Sequence, residues 1–177
     1  MKKLLRQSRP TNLRAAMAEL TDKRQLPLVL LFALLSSADA LAQTVQQHVH
    51  HLSHTVMPFD MASTVHIFRM TESGGVLRVV AKDANAVEQI ALIQQHLAHE
   101  AERFAHGNYA DPAALHGADM PGLAELQAGA AGISVSYAKL PQGGAITFVT
   151  TELRLLTAIH RWFGAQLSEH GADARAE

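Results

Sequence analysis

Along residues 63–82, STVHIFRMTESGGVLRVVAK, β-branched and apolar residues flank the polar, glycine-rich Glu72-Ser73-Gly74-Gly75. This arrangement predicts two strands joined by a hairpin turn. Asp83 then offers an N-cap, and the spacing changes. Val87, Ile90, Ile93, Leu97, Ala101 and Phe104 recur every three or four residues, the period of a helix that buries one face. That helix is predicted to stop at Gly107. Residues 108–120, NYADPAALHGADM, are interrupted by proline and glycine and read as a structured loop. PGLAELQAGA, 121–130, reads as a short helix with Pro121 in its first turn. ISVSYAKL and AITFVT then alternate on either side of PQGG. A second amphipathic helix follows in ELRLLTAIHRWFGAQLSEHG, with Leu155, Leu156, Ile159, Trp162, Phe163 and Leu167 on its stripe and Gly171 at its end.

The order predicts one α+β domain over residues 63–171, made of two ββα units. Their four strands form a largely antiparallel sheet with the two long helices on one face. Residues 172–177 are expected to be a disordered tail. A sheet covered on one side leaves its other face for water, a ligand or a second copy of the chain, so a homodimer is possible on this pattern.

The N-terminal pattern is different in kind. Seven of the fifteen Lys and Arg residues lie between Lys2 and Arg24, ahead of the apolar run LPLVLLFALL and the small-residue site Ala40-Leu41-Ala42. This predicts a signal peptide over residues 1–42 with a long basic region, and hence an exported, periplasmic or secreted protein. Met17 is an alternative start. The run is shorter than the roughly 20 residues a spanning helix needs, so membrane contact is expected only through the leader if it stays uncleaved.

Residues 43–177 hold eight Lys and Arg against thirteen Asp and Glu, a balance that argues against a nucleic-acid partner. The chain has no cysteine, which removes disulfides and thiolate chemistry. All eleven histidines lie beyond the leader. Position sorts them. His99 and His106 fall opposite the stripe of the first long helix and are expected in solvent. His96 and Glu100 stand one above the other at its edge. On the second long helix His160 sits at the stripe margin, and His170 is expected to cap the C-terminus. In the His-rich lead-in, 43–62, His48, His50 and His51 precede any element and are expected to be mobile, whereas His54, Met57 and Asp60 adjoin the fold. His66 lies inside the first strand, and His116 sits in the loop with Asp119 and Met120.

Imidazole and thioether donors without thiolates point to a transition metal, copper before zinc. The candidate ligands are His54, His66, His96 and His116, with Met57, Asp60, Glu100 and Met120 as supplementary groups. Haem held by a His or Met axial ligand is also open. The spacing is not diagnostic, since His96-x-x-His99-Glu100 is not HExxH. Two other readings stand beside the metal: a non-metal small-ligand or protein-interaction module using the open sheet face, and a small enzyme using His96 and Glu100 as an acid–base pair. No GxSxG elbow is present, and the two Gly-Gly pairs fit hairpin turns better than a phosphate loop.

HTVMPFD (54–60), ADPAALHGADMPGL (110–123) with the preceding HLAHEAERFAHG, and HRWFGAQLSEHG (160–171) carry a resemblance that covers nearly all of the chain beyond the leader. They resemble a group of small exported bacterial proteins of unestablished function, often named aspartate carbamoyltransferase by automatic transfer. The resemblance implies export but not carbamoyl transfer. True carbamoyltransferases use a Ser-Thr-Arg-Thr phosphate loop and a His-Pro segment, and neither occurs here.

Overall fold

A computed structural model describes residues 46–177. The leader, its cleavage site and the alternative start at Met17 lie outside the described residues. Among those residues no helix is long and apolar enough to cross a membrane.

The chain enters through a helix, α1, over residues 46–56. The lead-in histidines are therefore ordered on a helix, contrary to expectation. The physical reason is a short apolar stripe: Val49 is buried and joins Met61 and Leu115 in a satellite cluster, with Leu52 and Val56 packed against it. After a 3-10 turn at Met61–Ser63 come β1 (Thr64–Thr71) and β2 (Gly74–Ala81). Helix α2 spans Val87–Ala105. Asp83 does not cap it. Its carboxylate accepts from the Asn85 N–H at 2.8 Å, within the turn that precedes the helix.

The segment expected to be a loop contains a helix, α3, at Ala110–His116. At seven residues it is too short to display a period, and Pro112 lies in its first turn, where its missing N–H is not needed. Helix α4 spans Leu123–Ala128, β3 Ser134–Leu140, β4 Gly143–Val149 and α5 Leu153–His170. The tail expected to be disordered forms β5, Ala174–Ala176, parallel to β1. The Glu177 N–H donates to the Phe68 carbonyl at 3.0 Å. The free edge of β1 supplies the partners that three residues with no pattern of their own could not announce.

The α+β class is as expected, but the sheet has five strands and is mixed, in the order β3-β4-β2-β1-β5. The hairpins β1–β2 and β3–β4 lie side by side and join through an antiparallel β2–β4 ladder. The Gly-Gly pairs are in this ladder and not in the turns, which are Glu72-Ser73 and Pro141-Gln142. A Cβ on Gly74 would run into the Phe148 carbonyl, and one on Gly143 into the Val79 carbonyl. Glycine is required there because the central strands approach too closely for any side chain.

One sheet face carries His66, Phe68, Leu77, Val79, Ile146 and Phe148. Against it lie Ile90, Ile93, Leu97 and Phe104 of α2 and Leu155, Ile159, Trp162 and Phe163 of α5. Each such buried side chain contributes about 1.5–3 kcal/mol. Val87, expected on the α2 stripe, is 75 % exposed at the first helical position. Gly122, with φ +87°, lets α4 approach α5 so closely that a Cβ would meet the Ala158 carbonyl.

Candidate functional site

The interior between sheet and helices changes character toward the C-terminal end of α5. His66 comes from the core face of β1, His96 and Glu100 from α2, His116 from the last turn of α3, and Gln166 and His170 from the last turns of α5. Met57 and Phe59, between α1 and the 3-10 turn, close the side. Together they line a cavity of about 60 Å³. Ligand pockets for drug-sized molecules run to about 300–1,000 Å³. This one is of a size for an ion, water or a molecule of a few atoms.

Three imidazoles lie in series, the first two stacked and the third tilted 57° to its neighbour. The His66 and His170 rings lie 4.7 Å apart, 24° from parallel, and His116 lies 4.9 Å from His170. Phe59 presents an edge to His96 at 5.6 Å. His66 is 4 % exposed, His170 is fully buried, and the His116 side chain is 1 % exposed. His116 Nδ1 pairs with Glu169 Oε2 at 2.7 Å. Neither ring nitrogen of His170 has a hydrogen-bond partner, nor does Nδ1 of His66. Buried polar atoms are paired in the great majority of cases; Trp162 Nε1 and Tyr109 Oη in the adjoining aromatic core are also without a partner, but only at the histidine end do three such nitrogens gather on imidazoles that line one cavity.

Burial holds His66 and His96 down to about 4 and depresses His170 well below the ordinary histidine range. Burial also lowers His116, although its bond to Glu169 opposes the shift. The imidazoles are therefore neutral at pH 7, the form that carries a lone pair for a metal or proton. Glu100 moves the other way. Burial first, and then the neighbouring Asp111 charge, push its carboxyl up to about 7 against the pull of Arg103. Arg103 Nη1 donates to both Glu100 Oε1 and Asp111 Oδ2 at 2.7 Å, tying α2 to α3 at the cavity wall.

Of the eight expected site residues, the structure brings five to this cavity: His66, His96, His116, Glu100 and Met57. His54 stays on the solvent side of α1. Asp60 caps the 3-10 turn, accepting from the Ala62 N–H at 3.0 Å and from the Ser63 hydroxyl. Met120 is buried in the main core and lines a separate outer crevice of about 450 Å³ together with Glu169, with Leu115 and His116 on the wall between the two spaces. The i, i+4 pairing of His96 with Glu100 gives way to the Arg103 bridge. His99 and His106 are exposed as expected. His160 Nε2–H donates to the Thr71 and Gly74 carbonyls at 3.1 and 2.9 Å, anchoring α5 to the β1–β2 turn.

His170 is the residue missed. It is not a solvent-side cap but the middle ring of the stack. The signal was present: at about 100° per residue it falls some 20° from Ile159, on the buried stripe. Gln166 lies on the same stripe. Among the described residues, no three His, Asp or Glu side chains stand in positions ready to hold a metal ion. No protein family, curated protein or solved structure matches this chain.

Proposed function

We propose that this is an exported protein that binds one transition-metal ion, copper before zinc, in the histidine cavity. The ligands are drawn from His66, His96, His116 and His170, with Met57 as a thioether donor and Glu100 as a nearby carboxylate. The observation that carries the reading is the set of buried, unpartnered nitrogens on His66 and His170 beside that cavity. Neutral imidazole suits copper and zinc, and thioether favours Cu(I). Glu169 accepts the Nδ1 proton of His116 and so leaves its Nε2 as the lone-pair atom, the carboxylate–histidine pairing typical of metal sites.

Uptake requires the stacked rings to turn toward a common point. Turning a side chain off its rotamer costs about 0.5–1.5 kcal/mol, and breaking a ring stack about as much. Metal coordination in small structural sites supplies about 10–16 kcal/mol, so the stack is no barrier. The stacking itself favours one other occupant, a non-metal ligand of a few atoms hydrogen-bonded to the same nitrogens.

Trp162, the one tryptophan of the chain, lines the cavity. The test is metal content of the untagged protein by elemental analysis, paired with Trp162 fluorescence on addition of Cu(II) or Zn(II). One equivalent of bound metal, quenching by copper, and loss of both in His116→Ala are expected. A metal-free protein that shows neither quenching nor added thermal stability would overturn the metal and leave the small-ligand reading.

A further inference from the structure

The cavity leaves the α1 histidines unused. His50, His51 and His54 are all exposed on one helix, and the His51 and His54 rings lie 5.8 Å apart, edge to face. Residues three apart on a helix stand on adjacent turns of one face. Exposed side chains exchange rotamers within nanoseconds, so both rings can bring a nitrogen to the roughly 2.0–2.1 Å that imidazole–metal bonds require. The helix under them is fixed. Val49 is buried, and His50 Nδ1 lies 3.6 Å from the Asp173 carboxylate beside β5.

We propose that His51 and His54 form a second, solvent-open metal site, a two-imidazole chelate completed by water, with Cu(II) as its strongest ligand among divalent first-row ions. It is separate from the cavity and holds whether or not the cavity takes a metal. Its two protein ligands make it the weaker and faster-exchanging of the two sites.

The test is equilibrium dialysis of the untagged full-length gene product against Cu(II) and, separately, Zn(II). The proteins compared are wild type, the double variant His51→Asn/His54→Asn and, as a control for a solitary exposed histidine, His106→Asn. The double variant changes only exposed side chains, and a thermal melt verifies that it folds. With both sites present, copper at saturation falls from about two ions per chain to about one in the double variant, and His106→Asn matches wild type. A wild type that binds about one ion, lost in the double variant, keeps the surface site and removes the cavity reading. Equal binding by wild type and double variant overturns the surface site, whatever the cavity holds.

Discussion

Helix α5 buries two different interiors along one stripe. At its middle, Trp162 meets Phe104, Tyr109, Phe148 and Phe163 at centroid separations of 5.5–5.7 Å, mostly edge to face. At its end, His170 stacks on His66 and lies at a tilt against His116, beside a cavity of about 60 Å³. The first region is a packed aromatic cluster, in which Trp162 Nε1 and Tyr109 Oη are the unpartnered polar atoms. The second carries a cost when nothing partners its imidazoles: each unpaired buried nitrogen costs about 1–3 kcal/mol. Local departures of this kind are found where function overrides packing. The contrast within one helix face lies in the cavity and in the imidazoles gathered around it, because fold, helix, sheet and unpartnered polar atoms are common to both.

The largest expected effect lies in the packed half. Phe148 is fully buried among the Phe104, Trp162 and Phe163 rings, so Phe148→Ala should cost about 3–5 kcal/mol in urea unfolding. A loss below about 1 kcal/mol would mean that the aromatic cluster is loosely packed and the contrast unreal.

Next comes acid. His66 and His96 sit near 4 in the folded protein against an ordinary 6.5. The unfolded chain therefore binds more protons between those values. Their contribution is complete above about pH 6.5 and falls as pH drops toward 4, by on the order of 3 kcal/mol for each fully shifted imidazole. Urea midpoints measured from pH 7.5 to 4.5 in the Glu100→Gln background, which removes the opposite titration of that carboxyl, should show this slope, and adding His66→Leu should flatten it. A profile already flat in the Glu100→Gln background would show that the histidine half is not a cluster of neutral, buried rings.

These two regions were unequally visible in the amino-acid pattern. The aromatic half rests on the 3.6-residue period of α2 and α5 and the alternation of β2 and β4, so Ile93, Leu97, Ile159 and Trp162 could be placed inward at once. His66, His96, Glu100 and His116 could be named as candidates, but their meeting depends on α3 folding back across α2, held by Arg103 and Asp111. A seven-residue helix beginning around a proline gives no period from which to read that fold-back. His170 was hidden differently: its position at a helix end suggested a cap, although its wheel angle placed it inside. In α1, Val49, Leu52 and Val56 already had helical spacing, but the density of histidines around them drew the eye to the polar residues. β5 had no signal at all, since its pairing comes from the β1 edge.

Glu100 sharpens the comparison from the opposite sign. Its carboxyl is raised from 4.5 to about 7, so the folded state holds the proton more tightly than the unfolded chain. Whatever stability Glu100 contributes is present below about pH 4.5 and is lost as pH rises through 7. Glu100→Gln should therefore gain on wild type between pH 5 and pH 8, by about 1–2 kcal/mol once the Arg103 bridge is allowed for. The readout is the difference in unfolding midpoint at the two pH values. A difference that shrinks toward pH 8 would mean that the charged Glu100–Arg103 pair is net stabilising, and that this edge of the cavity belongs to the structural half.

The smallest effect isolates partnering itself, using two histidines of the same helix. His160 donates Nε2–H to two turn carbonyls, whereas both nitrogens of His170 are unpaired. His160→Leu removes a bond and leaves the Thr71 and Gly74 carbonyls to find water, at a cost of about 1 kcal/mol. His170→Leu removes two unsatisfied nitrogens and adds apolar surface beside a cavity, so in metal-free protein it should be neutral or stabilising by up to about 1 kcal/mol. Metal removal before the measurement is essential, since a ligand bound only to the folded state raises stability by mass action. Opposite signs for the two substitutions in apo protein, with His170→Leu turning destabilising once copper is added, would place the cost of the cavity in the imidazoles and its return in the ion. Equal losses in the absence of metal would mean that His170 is held by its stacking alone, as any core ring would be.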